Sequence, residues 1–87
     1  MKIRFGKKFR KQFQKAPVQI RNTFETRLKL FVQNPFNPIL NNHSLTGKRS
    51  RYKSINVTGD WRAIYSEQKN EAIVIFELLG TNSQLYR

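Results

Sequence analysis

Residues 52–66 read YKSINVTGDWRAIYS, and the alternation within them decides the architecture. Successive side chains of an extended strand point to opposite sides, so over 52–57 Lys53, Ile55 and Val57 share one face and Tyr52, Ser54 and Asn56 the other. Thr58-Gly59-Asp60 is turn chemistry, and 61–66 supplies the return strand of a hairpin. Downstream, Gln68-Lys69-Asn70 marks a second turn. Residues 72–79 are apolar on both faces except Glu77, the pattern of a central strand. Gly80 is expected to break that strand and leave a polar tail ending in Leu85-Tyr86-Arg87.

Upstream of the hairpin the period changes. Residues 1–5 form a short strand with Ile3 and Phe5 on one side, and Gly6 permits the turn into a helix. Phe5, Phe9 and Phe13 recur every four residues, a single stripe, while Lys7, Lys8, Lys11 and Lys15 point elsewhere. Pro17 ends that helix and suits the first position of the next. Ile20, Phe24, Leu28 and Phe31 carry the second helix to about Gln33, where Asn34-Pro35 stops it. Residues 34–42 are a loop punctuated by Pro35 and Pro38, with Phe36, Ile39 and Leu40 available to pin it to the core. The order strand, helix, helix, strand, strand, strand predicts an α+β domain spanning residues 1–87. In it a helical hairpin packs on one face of a small, mostly antiparallel four-stranded sheet and leaves the opposite face free.

Composition narrows the function. With 87 residues there is material for one hydrophobic core. No window approaches the roughly 18 apolar residues of a membrane span, and there is no apolar leader, so a cytoplasmic protein is expected. The chain has no cysteine and one histidine, which removes disulfides and thiolate chemistry and argues against a zinc site. Seventeen Lys and Arg against five Asp and Glu give a formal charge of +12. Such self-repulsion calls for a polyanionic partner. Nucleic acid suits it better than membrane, because no segment joins a basic face to a broad Leu- and Trp-rich one. The charge gathers in residues 2–15 and again at Lys48, Arg49, Arg51 and Lys53.

Three short motifs carry a resemblance over nearly the whole chain. His43-Ser44-Leu45-Thr46-Gly47, Asp60-Trp61 followed by Ile64-Tyr65, and Gly80-Thr81-Asn82-Ser83-Gln84-Leu85-Tyr86 are similar, in order and spacing, to segments of the RelE/ParE toxin superfamily, and most similar to its YafQ-type branch. The resemblance implies a toxin of a type II toxin–antitoxin module, a messenger-RNA interferase that enters the ribosomal decoding site and cuts messenger RNA without metal or other cofactor. Its partners are then a cognate antitoxin, the ribosome and messenger RNA. Attack by the ribose 2′-OH on the adjacent phosphorus requires a proton acceptor, stabilisation of phosphate charge, and a proton donor for the departing 5′ oxygen.

The candidate catalytic residues are His43, Asp60, Arg62, Tyr86, Asn56 and Asn82. His43 is the one side chain whose ordinary pKa lies near neutrality; outside a site it would be a loop histidine bonded to backbone. Asp60 matches the family's acidic residue, where it orients a histidine or accepts a ribose proton, and Gly59-Asp60 is equally ordinary turn chemistry. Arg62 suits a bidentate phosphate contact. Tyr86 suits base stacking or proton donation, against plain packing at a sheet edge, and Trp61 is read as mainly structural. Asn56 and Asn82 stand where the YafQ pattern has histidine. Asparagine binds phosphate or a base edge but transfers no proton, so the departure weakens the expectation of cleavage more than that of fold. Lys7, Lys8, Lys11, Lys48, Arg49, Arg51, Lys53 and Arg87 are the candidate RNA-binding cations, set against the commonplace role of a solvated charged face. Two alternatives remain open: a ParE-like toxin that poisons DNA gyrase, and a catalytically decayed relative that binds RNA or an antitoxin.

Overall fold

The computed structural model describes residues 1–86. The chain runs β1 (Lys2–Phe5), α1 (Lys7–Lys15), α2 (Val18–Gln33), β2 (His43–Ser44), β3 (Tyr52–Asn56), β4 (Trp61–Gln68), β5 (Ile73–Thr81) and α3 (Asn82–Leu85). Two helices on one sheet face follow the expected plan, but the sheet differs from it. It has five strands in the order β1-β5-β4-β3-β2, and it is mixed, since β1 lies parallel to β5 while the other neighbours are antiparallel. The extra strand, β2, is two residues long, too short to show a period in sequence.

The helices cover the face that carries Ile55, Val57, Ala63, Tyr65, Val74, Phe76 and Leu79. Phe5, Phe9 and Phe13 form the anticipated stripe and meet Phe24, Phe31, Phe76 and Tyr65 in one aromatic cluster, with ring centroids 5.0–6.3 Å apart. Pairs at such spacings contribute about 0.5–1.5 kcal/mol beyond their burial. Where β1 ends, β5 loses its neighbour, and the Gln12 side chain of α1 replaces the missing strand by accepting the Leu79 N–H at 2.8 Å.

Three local expectations are corrected. Of the loop residues 34–42, Leu40 is wholly buried, but Phe36 and Ile39 are 70% and 56% exposed and do not pin the loop. Gly80 lies inside β5, opposite Arg62, and the chain then enters α3 instead of a polar tail. A Cβ at Gly80 would meet Gln84 Oε1 at 3.1 Å and the Leu85 side chain at 3.2 Å, so the missing side chain lets α3 lie against the sheet. The second sheet face is therefore not free throughout, because Leu85 is buried on it. Glu77, the charged exception in the last strand, falls at the bulge beside Ile64 and Tyr65, where Ser66 Oγ donates to its carboxylate at 3.1 Å. No helix among the described residues is long and apolar enough to cross a membrane.

Candidate functional site

Residues directly opposite one another on neighbouring strands share a sheet face. His43 pairs with Ser54, and Ser54 with Ile64, so His43 stands on the face away from α1 and α2. One pleat along, Asn56 pairs with Arg62 and Arg62 with Gly80, on the same face. The C-terminal segment crosses this surface. Thr81 and Gln84 form a reciprocal capping box that starts α3, and Leu85 is buried beneath it. These contacts bring the Tyr86 hydroxyl to Ser54, to whose Oγ it donates at 3.3 Å. Arg49 donates to the Leu85 carbonyl, which holds the end of α3 beside the basic segment 47–51. His43 and Tyr86 thus border the same fully buried serine.

The remaining candidates lie farther along. Asp60 sits in the β3–β4 turn, and its carbonyl accepts the Asn82 N–H at 2.9 Å, which ties the turn to the start of α3. The strand from Ser54 to Val57 alone spans about 10 Å, so Asp60 is out of hydrogen-bonding reach of His43. Among the described residues the Asp60 carboxylate makes no ion pair or hydrogen bond, and it is solvent-exposed. The imidazole is oriented instead by a main-chain carbonyl, with Nδ1 2.8 Å from Asn41 O. Arg62 Nη1 donates to the carbonyls of Thr58, Gly59 and Trp61 at 2.9, 3.0 and 3.2 Å, so one guanidinium nitrogen closes its own hairpin turn. Asn56 keeps a buried Oδ1 with no hydrogen-bond partner among the described residues, an acceptor left open beside Arg62.

The cations divide between surfaces. Lys48 and Arg51 are exposed near the C-terminal turn, and Arg49 is half-buried with its bond to Leu85. Lys53 pairs opposite Tyr65, on the helix-covered face, and forms an ion pair with Glu67 at 2.6 Å; the fold does not bring it to His43. Lys7, Lys8 and Lys11 are exposed on α1, in the helical layer and away from the His43 face. Arg87 lies outside the described residues. Trp61 packs against the helix-side core beside Lys15 and Ala16. A hollow of about 450 Å³ lined by Phe5, Phe9, Phe13, Phe24 and Leu28 contains none of the candidates.

Ser54 was not singled out in the sequence. Alternation placed it between Tyr52 and Asn56, but nothing local signals that His43 and Tyr86 converge on it. The face is chemically mixed: an imidazole and a phenol at one end, a buried unpaired amide oxygen and a guanidinium in the middle, a carboxylate at the far turn. Such a strip can accept a proton, donate one and hold an anion.

The family described as bacterial toxin of type II toxin-antitoxin system, YafQ, matches residues 1–87. The chain belongs to the YafQ family. Solved structures share the fold of this YafQ-family toxin at low identity. YafQ from E. coli strain BL21(DE3) superposes with a TM-score of 0.82 at 24% identity, covering 98% of this chain and 97% of that one. The YoeB/ParE toxin from Agrobacterium tumefaciens gives 0.78 at 14% identity, with 94% and 99% covered. The toxin-antitoxin complex RelBE2 from Mycobacterium tuberculosis gives 0.75 at 17% identity, with 93% and 96% covered. No curated protein matches the chain.

Proposed function

We propose that this YafQ-family toxin is a ribosome-dependent endoribonuclease that cuts translated messenger RNA in the cytoplasm and is silenced by a cognate antitoxin. The convergence of His43 and Tyr86 on Ser54, on the face away from the helices, is the observation that carries the reading. The ribose 2′-OH gives its proton to His43 as its oxygen bonds to phosphorus. Arg62, through the N–H groups its turn does not use, with Lys48 and Arg51, offsets the charge that develops on the phosphate. The P–O5′ bond breaks, and the departing oxygen takes a proton from Tyr86. The products are a 2′,3′-cyclic phosphate and a 5′-hydroxyl. Asn56 and Asn82 bind without transferring protons, and the exposed Asp60 lies beside Asn82 to contact a ribose or base.

A net charge of +12 favours both the transcript and an acidic antitoxin segment that orders on binding. The E. coli DinJ-YafQ toxin-antitoxin complex, whose chain has a TM-score of 0.79 to this one, supports a cognate antitoxin as the protein partner. Induction in a bacterium, with growth scored and messenger 5′ ends mapped by primer extension, tests the reading. New ends at codon boundaries of translated messages are expected. Growth arrest with intact messages and DNA-damage signalling would point to gyrase, and unimpaired growth to a binding-only relative.

A further inference from the structure

His43 follows two asparagines that do unusual things. Asn41 holds a left-handed conformation, φ 47° and ψ 48°, which asparagine tolerates better than other side-chain-bearing residues but which still costs energy. It is clamped there from both sides. Leu40 before it is fully buried, and Asn42 after it is tethered, donating from Nδ2 to the Pro35 carbonyl at 3.0 Å and to the Tyr65 hydroxyl at 2.7 Å. The Tyr65 hydroxyl lies 3.0 Å from Asn42 Oδ1, within a buried ring packed on Phe31 and Phe76. The clamp turns the Asn41 carbonyl back toward the His43 ring, 2.8 Å from Nδ1.

A carbonyl oxygen only accepts hydrogen bonds, so this contact requires the proton on Nδ1. In the neutral imidazole the lone pair then belongs to Nε2. We propose that Asn41, held by the Asn42–Tyr65 tether, is a positioning residue that presets His43 in the Nδ1–H tautomer, leaving Nε2 as the proton-accepting atom. The proposal rests on His43 being the proton acceptor of the reaction above. It assigns to a backbone carbonyl the orienting work that a carboxylate such as Asp60 does elsewhere, and the separation of Asp60 from His43 is consistent with that division.

The chain has a single histidine, so its imidazole nitrogens give one unambiguous set of resonances. Long-range proton–nitrogen NMR on the neutral form, in the intact toxin, separates protonated from bare ring nitrogens. The Nδ1–H form should dominate in the wild type and in Asn41→Gly, since glycine adopts the same backbone freely. Asn41→Val, strained at positive φ, should shift the population toward Nε2–H, and Tyr65→Phe should do so in part. With the fold retained by amide spectrum, kcat in Asn41→Val should drop on the order of tenfold at unchanged KM, a fraction of the roughly 10²–10⁴-fold that a positioned acceptor contributes. A dominant Nε2–H form in the wild type overturns the proposal even if the Val variant does not fold. An unchanged tautomer in a folded Asn41→Val overturns the role of Asn41, and in Tyr65→Phe that of the tether. The spectrum reports the tautomer whether or not RNA is cut, so a negative cleavage assay counts against the enzyme reading and leaves this measurement decisive for its own question.

Discussion

The Tyr86 hydroxyl donates to Ser54 Oγ across 32 residues of sequence, at 3.3 Å, and so fixes the C-terminal turn over the strand that also pairs with His43. Tyr86→Phe should separate structure from chemistry. Loss of one such hydrogen bond costs about 1 kcal/mol, because Ser54 is left buried with an unpaired hydroxyl. Loss of a proton donor lowers kcat by roughly 10²–10⁴-fold. Adding Ser54→Ala should recover the stability and not the rate, as read by urea titration and single-turnover cleavage.

Asp60→Ala and Arg62→Ala should both relieve growth inhibition, yet differ in stability. The Asp60 carboxylate bonds nothing among the described residues, so its removal should change unfolding free energy by less than about 0.5 kcal/mol. Arg62 staples three turn carbonyls, and its truncation should cost about 1–2 kcal/mol. Thermal melts of the two variants beside growth curves check this; full toxicity in both would remove them from the site.

Gly80→Ala introduces a Cβ tighter than ordinary contact against Gln84 and Leu85. Displacement of α3 should destabilise the protein by about 1–3 kcal/mol, as overpacking does, and carry Tyr86 away from Ser54. Amide exchange of residues 81–86 should rise while that of the β3–β4 hairpin holds.

Tyr65 gives an alkaline signature. Burial pushes its phenol up to about 12 from the ordinary 10, the Asn42 hydrogen bond pulls it back in part, and the nearby Glu67 carboxylate adds to the rise. The folded state keeps this proton longer than the unfolded chain. The associated stability is therefore present in full below pH 10 and is lost progressively as pH climbs from 10 to about 12, by at most about 2–3 kcal/mol. Urea midpoints at pH 9 and 11.5 should converge for Tyr65→Phe and diverge for the wild type, after the lysine titration common to both is subtracted.

Much of the architecture was legible because it rests on local period. The Phe5-Phe9-Phe13 stripe, the second helix to Gln33 and the alternation of 52–57 all read directly into elements with the stated faces. The same alternation had already set Lys53 beside Ile55, which is why that cation faces the helices and Glu67 instead of the His43 face. Phe36 and Ile39 misled because hydrophobicity in a loop does not say which way a proline-punctuated backbone turns.

What the residue order determined by itself is local: the period of each segment, the face each side chain takes, the extreme positive charge and the motifs that mark a YafQ-family toxin. Only the tertiary structure decided the five-stranded order, the two-residue strand that lifts His43 out of a loop, and the docking of Tyr86 on Ser54, the strand partner of His43. The reason is physical. Periodicity reports how neighbours along the chain share a surface, whereas edge pairing and the docking of α3 depend on burial between segments far apart in sequence, which no short window contains.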